Sequence, residues 1–276
     1  TPSAGYHLDS LIVDGVPRPL SSGYTFNNVI ANHTIVVKFA INTYVISASA
    51  GANGTITPSG LDTVAYGSTP QFSFTPSTGY HVDSVIVDGV NQPSAPSYTF
   101  AAISSGHTIR VSFAPNILSI TVKTNPVGLS MVVDGITYTT TQIFSWTAGV
   151  SHTVVIFDSL QNGPAGTRYL YTSWSDAGAR THSVTPLVPT TYTANFKTQF
   201  TLTMNAHTGG TVSPASGWQD SASVVTITAT ASSGYRFDQW SGSGSGSYAG
   251  YSNPAAVGMY GPVSEVANFL QNAVSV

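Results

Sequence analysis

The chemistry open to this chain is set by seven histidines, ten aspartates, a single glutamate and no cysteine. His7 stands two residues from Asp9, and His81 two residues from Asp83. Residues i and i+2 of a strand share a face, so each pair could offer two metal ligands, with His33 or His107 as a third. The competing reading places His7 and His81 on a polar face beside a core, and the lack of visible second-shell support favours it. Calcium loops need alternating Asp and Asn oxygens, which the sequence does not provide. Without cysteine there is no thiolate nucleophile, zinc ribbon or iron–sulfur cluster. No metal or cofactor is expected.

Hydrolytic signatures are also missing. Gly-x-Ser-x-Gly does not occur, and with Glu265 as the one glutamate no His-Glu-x-x-His motif exists. Gly244-Ser-Gly246 loosely imitates a dinucleotide fingerprint, but it lies in a Gly-Ser loop with no following helix. Lys38, Lys123 and Lys197 are the candidates for an internal Lys–Asn cross-link, which needs an apolar core and a nearby acid. Lys38 and Lys123 have outward parity, so the cross-link is not expected. What remains is aromatic: Trp218, Trp240, Tyr248, Tyr251 and Tyr260 gather around the stretch 241–252. Flat rings on a loop suit sugar stacking or protein contact. Against this, Trp240 also reads as a core aromatic and the tyrosines as ordinary strand-surface residues.

The elements that must position these groups are strands. Only 7% of residues are charged, 41% are hydrophobic, and Gly and Pro number 26 and 16. Residues that fill exposed helix faces are nearly absent, so long surface helices are not expected. A net charge of −3 with no Lys or Arg cluster excludes nucleic-acid binding. Apolar runs are far too short for a membrane-crossing helix of about twenty residues.

The chain also repeats itself. Gly5-Tyr-His-Leu-Asp-Ser-Leu-Ile-Val-Asp-Gly-Val16 returns as Gly79-Tyr-His-Val-Asp-Ser-Val-Ile-Val-Asp-Gly-Val90, and the offset holds through His33–Ala40 and His107–Ala114. Residues 1–40 are the second half of a module, and 41–114 are a complete one. A more distant copy fills 198–276, where Gly210-Thr-Val-Ser-Pro214 answers Gly54-Thr-Ile-Thr-Pro58. Residues 115–197 diverge but close alike, at Thr193-Ala-Asn-Phe196. In the complete copy, turn residues divide strands expected near 43–50, 54–58, 70–75, 80–88, 97–103 and 107–113. Asp14-Gly15, Asp88-Gly89 and Asp134-Gly135 each follow an apolar pair and predict two-residue mirror-image turns. Alternation puts Ile35, Val37 and Phe39, and likewise Ile109, Val111 and Phe113, on the core side. The fold class is therefore all-β, a tandem array of small antiparallel modules.

A Gly-Thr-hydrophobic-x-Pro opening, a Ser/Thr-Gly-Tyr-x-hydrophobic-Asp centre and a closing hydrophobic-x-Phe resemble the divergent internalin-B-type B-repeat of bacterial surface proteins. Asp238-Gln-Trp-Ser-Gly242 fits the same pattern. The resemblance covers 1–114 and 198–270, while 115–197 resembles the broader class of immunoglobulin-like spacer domains. It implies β-grasp-like or sandwich-like packing and an extracellular or cell-surface stalk, spacer or fibre subunit without catalytic residues. The alternative is a carbohydrate-binding appendage of a secreted hydrolase. Expected partners are neighbouring modules, copies of the same chain, or surface glycans. The half module 1–40 leaves strand edges and apolar side chains uncovered. The tail Leu270, Ala273, Val274 and Val276 is the candidate donor of a completing strand.

Overall fold

In the computed structural model, residues 1–273 are described, and among them every regular element is a strand. They form two compact units, one of residues 1–117 with 147–149, the other of residues 118–146 with the chain from 150 onward.

The complete repeat lies in the first unit. Its larger sheet has five strands in the order Gly60–Ala65, Thr43–Ala50, His107–Pro115, Tyr80–Val87, Val90–Gln92. A second layer of three strands runs Ser97–Thr99, Gln71–Pro76, Gly54–Thr57. Of these, Gly60–Ala65 and Val90–Gln92 exceed the expected set. Both are edge strands, and an edge carries little apolar signal: Leu61 is 77% exposed. Asp88 and Gly89 join Val87 to Val90 with φ of 49° and 79°, the positive pair that a mirror-image turn requires. Asp14 and Asp134 do the same in their hairpins.

The smaller layer is antiparallel throughout, whereas the five-stranded sheet is mixed. The closing strand returns between the opening strand and the central hairpin, so His107–Val111 runs parallel to Ile46–Ala50. A strand flanked on both sides must bury its inward residues, and Ile109 and Val111 are almost inaccessible. They meet Ile46, Val85 and Val87 from their own sheet and Ile56, Phe72 and Phe74 from the other layer. Each of these large side chains contributes about 1.5–3 kcal/mol by leaving water. The packing is thus the sandwich-like alternative. The opening glycine of the motif has its explanation here. A Cβ on Gly54 would lie 2.4 Å from the Phe113 ring, so the closing Phe rests on a bare Cα. Gly210 and Phe269 repeat the contact in the last module.

The second unit is organised by one long strand, Thr191–Ala206. Its first part pairs in parallel with residues 121–125 and antiparallel with Thr167–Trp174. Its later part pairs antiparallel with Gly217–Asp220 and parallel with Val263–Gln271. A boundary expected near 197 therefore falls inside an unbroken strand. The last module's core gathers Leu202, Ile227, Trp240, Val257, Met259 and Ala267.

Residues 1–40 form a three-stranded sheet, Val16–Arg18, Tyr6–Val13, Ile35–Ile41. Leu11 and Val13 are buried, but Ile35, Val37 and Phe39 are 50%, 41% and 44% exposed. Their parity matches that of Ile109, Val111 and Phe113, yet residues 1–40 contain no counterpart of the layer bearing Ile56, Phe72 and Phe74.

Candidate functional site

The most regular polar arrangement is a clamp on each Asp-Gly turn. The backbone N–H of Thr108 donates to Asp88 Oδ1 at 2.8 Å, while His107 Nδ1 donates to Oδ2 at 2.6 Å. The imidazole in turn lies against Phe100, with ring centres 5.1 Å apart. Asp14 repeats this with Thr34, His33 and Phe26, at 2.8, 2.7 and 4.6 Å. Asp134 repeats it with Thr153, His152 and Trp146, at 2.8, 2.7 and 3.8 Å, the last pair stacked within 5° of parallel. The hairpin fixes the carboxylate beside the start of the neighbouring strand, so turn and strand are tied together by two charge-assisted bonds.

These contacts hold the carboxyls below their ordinary range. For Asp14 the Thr34 N–H is the main cause, followed by His33. For Asp88 and Asp134 burial pushes upward, and the bonds from histidine and backbone outweigh it. Asp176 differs in form: His182 Nε2 donates to it at 2.9 Å while Nδ1 bonds the Ala179 carbonyl.

The imagined metal pairs are not assembled. His7 Nδ1 donates to Asn42 Oδ1 at 2.7 Å, and His81 Nδ1 to Asn116 Oδ1 at 3.0 Å. Asp83 accepts from Ser112 Oγ, and His33 and His107 belong to the clamps. Among the described residues no three His, Cys, Asp or Glu side chains gather as a cation would require. Strand parity reports which residues share a face, but not that a turn aspartate caps a strand 19 residues away.

The aromatics of the last module separate. Trp240 is 1% exposed in the core, which corrects its place among the contact candidates: its strand pairs with Val263–Gln271 and turns the indole inward. Trp218 is half-buried with the Arg168 guanidinium 4.4 Å above its ring. The Tyr248 hydroxyl accepts from Ser252 N–H. Tyr251 and Tyr260 stand in solvent at 75% and 63% exposure. Of the lysines, Lys197 pairs with Asp220 at 2.8 Å and Lys38 is exposed.

The glutamate has a place the sequence reading missed. Glu265 is fully buried, Oε1 accepting from Tyr248 N–H at 2.8 Å while Oε2 has no partner. Burial raises its pKa. Alternation with Val263, Ala267 and Phe269 was the available signal. Gly242 opposite makes room, since a Cβ there would lie 2.7 Å from both carboxylate oxygens.

Ile35, Val37 and Phe39 line an open apolar groove of about 580 Å³ with Leu8, Leu11 and Leu20. Of the expected donor tail, Leu270 is paired with Arg236 inside its own module and Ala273 is exposed. Val274 and Val276 lie outside the described residues.

Successive all-β repeats, three of them tied by the same Asp–His clamp and two of them joined through one long strand, define a tandem all-β repeat protein. The chain belongs to the divergent InlB B-repeat domain family, which matches residues 44–117 and 200–273, together more than half of its length. Domains of this family occur in bacterial surface proteins and are typically non-catalytic. No curated protein matches the chain. Among solved structures, the Bacillus anthracis TIE protein is similar at 8% identity and a TM-score of 0.27, over 85% of this chain and 53% of that one. The chain thus spans about half the length of that structure.

Proposed function

We propose that the chain is a non-catalytic spacer of an extracellular or cell-surface protein, a stalk segment that holds other parts at a distance. The observation that supports it is the lack of slack between repeats within a unit. Asn42 alone separates Ile35–Ile41 from Thr43–Ala50. It is bonded on three sides, its N–H to the Gly5 carbonyl, its carbonyl to Tyr66 N–H and its Oδ1 to His7. In the second unit the strand Thr191–Ala206 serves two successive modules without a break. A joint whose backbone groups are all paired resists bending more than a loop does.

Small-angle scattering of the native chain and of a variant with a Gly-Ser tetrapeptide inserted after Asn42 tests this. A spacer predicts a narrow distribution of dimensions that broadens on insertion; equally broad distributions in both refute it. A second reading, glycan binding by a surface appendage, draws on exposed Tyr251 and Tyr260. Glycan-array signal lost in Tyr251→Ala, Tyr260→Ala and Trp218→Ala would favour it.

A further inference from the structure

The three clamps enclose Asp-Gly, the aspartyl dipeptide most prone to rearrange through a succinimide. In Asp-Gly the following backbone nitrogen has no Cβ beside it to shield its approach to the aspartate side chain. That nitrogen attacks Cγ, the carboxyl hydroxyl departs as water, and a five-membered succinimide forms. Water then adds back at one of the two ring carbonyls. Addition at the backbone carbonyl leaves an isoaspartyl link, in which the main chain runs through Cβ and Cγ. One water leaves and one returns, so no oxidant or other reactant is needed.

Two conditions govern the first step. The carboxyl must carry a proton, because a carboxylate has no leaving hydroxyl, and it must turn about Cα–Cβ to present Cγ to the glycine nitrogen. The aspartates at 14, 88 and 134 sit in tight turns with side chains 44–45% exposed, open to water. Exposure alone would leave them free to react. Yet both oxygens of each are held, Oδ1 by a threonine N–H and Oδ2 by a histidine Nδ1, all within 2.6–2.8 Å. The histidine is itself braced by an aromatic ring, so it cannot swing away without losing that contact as well.

We propose that Asp14, Asp88 and Asp134 are latent isoaspartate-forming sites, and that His33, His107 and His152 suppress the reaction by holding each carboxylate away from its glycine. The lowered carboxyl pKa values act in the same direction, since they reduce the protonated fraction. The damage would be specific. An extra main-chain atom in a two-residue turn breaks the register that sets Val87 against Val90, and with it the inward placement of Val85 and Val87.

The test uses the full chain and its own internal references. Native protein, His107→Ala and His107→Gln are held at 37 °C and neutral pH for weeks. Isoaspartate is then quantified at each of the three sites by peptide mapping and by enzymatic methylation of the isoaspartyl carboxyl. His107→Ala is expected to accumulate it at Asp88 about tenfold faster or more, the factor that follows from losing one hydrogen bond to a charged group. Asp14 and Asp134 in the same molecules should keep their native rates. His107→Gln retains an N–H donor and should react more slowly than His107→Ala. An unchanged rate at Asp88 in His107→Ala would overturn the proposal. Equal acceleration at all three sites would also overturn it, because general unfolding would then be the cause. Identical rates in the two variants would do so as well, since the hydrogen bond would not be the protecting element.

Discussion

Gly54→Ala is the smallest change that tests why the repeat opens on glycine. The added methyl would stand 2.4 Å from two atoms of the Phe113 ring and 2.6 Å from a third, against the 3.5–4.0 Å of ordinary carbon contact. The ring must withdraw by roughly 1 Å or more, and overpacking of this kind costs about 1–3 kcal/mol. Gly54 is not in the left-handed region, so the substitution by itself is favourable by about 0.4–1 kcal/mol through the unfolded chain. The net expectation is a loss of about 1–2 kcal/mol. In a Phe113→Leu background the obstruction is gone and the same substitution should be neutral or slightly stabilising. Gly210→Ala is the contrasting case. Its methyl would meet Phe269 at 2.3 Å but also the Thr230 carbonyl oxygen at 2.5 Å, and backbone cannot give way. Phe269→Leu should therefore fail to rescue it. Because the chain holds more than one core, a global unfolding curve does not isolate one module, so the assay is native-state hydrogen exchange at Val85, Ile109 and Val111, or at Ile227 and Ala267 for the second pair. A Gly54→Ala cost below about 0.5 kcal/mol, or one unchanged by Phe113→Leu, would refute the account of the motif as a glycine–aromatic contact.

Three further outcomes follow from the same structure. Glu265, whose folded pKa is raised by burial, supports the last module fully below the ordinary glutamate value and loses that support as pH rises through the raised value. Urea midpoints read by tryptophan fluorescence should therefore fall with rising pH in the native chain, and this slope should be absent in Glu265→Gln. The aspartates at 14, 88 and 134 have lowered values, so their contribution is present above about pH 4 and lost as pH falls through the folded values. Asp88→Asn should lower the neutral-pH stability of its repeat and flatten its acid dependence, measured by acid titration of exchange-protected amides. Trp240→Ala should cost about 3–5 kcal/mol in the last module, whereas Trp218→Ala, half-buried beneath Arg168, should cost about 1 kcal/mol, both read from denaturant unfolding.

Much of the strand pattern was legible because it rests on local rules. Asp-Gly after an apolar pair has few conformations available other than the turn it adopts, and alternation in residues 107–113 follows from the two-residue pleat. Who pairs with whom was less accessible. The parallel union of residues 107–111 with 46–50 is a choice of sheet order, and no residue in either strand announces it. Trp240 shows the same limit from another side. An indole in a Gly-Ser-rich neighbourhood can be read as a core ring, the favoured reading, or as a surface one, and the strand pairing with Val263–Gln271 turns it inward. Glu265 was the opposite case. Its parity was plain, but a carboxylate on the core side contradicts the expectation that charges stay wet, and its pocket depends on a glycine 23 positions earlier.

The divergent third module sharpens what the repeat needs. Across residues 115–197 the sequence departs from the other copies and the loops change length, and the spacing from turn aspartate to histidine shortens from 19 to 18. The aromatic partner becomes Trp146, and a tilted contact with ring centres 5.1 Å apart becomes a parallel stack at 3.8 Å. The bonds on the carboxylate nevertheless stay within 0.1 Å of their counterparts. Had the clamp been a by-product of similar sequence, it should have drifted with the surrounding strands. It persists while its supports are exchanged, one aromatic for another and one spacing for another. This is the behaviour of a constraint on the Asp-Gly hairpin itself: where that turn occurs it is held against the neighbouring strand, and each of the three copies that carry it meets that need with whatever ring its own packing supplies.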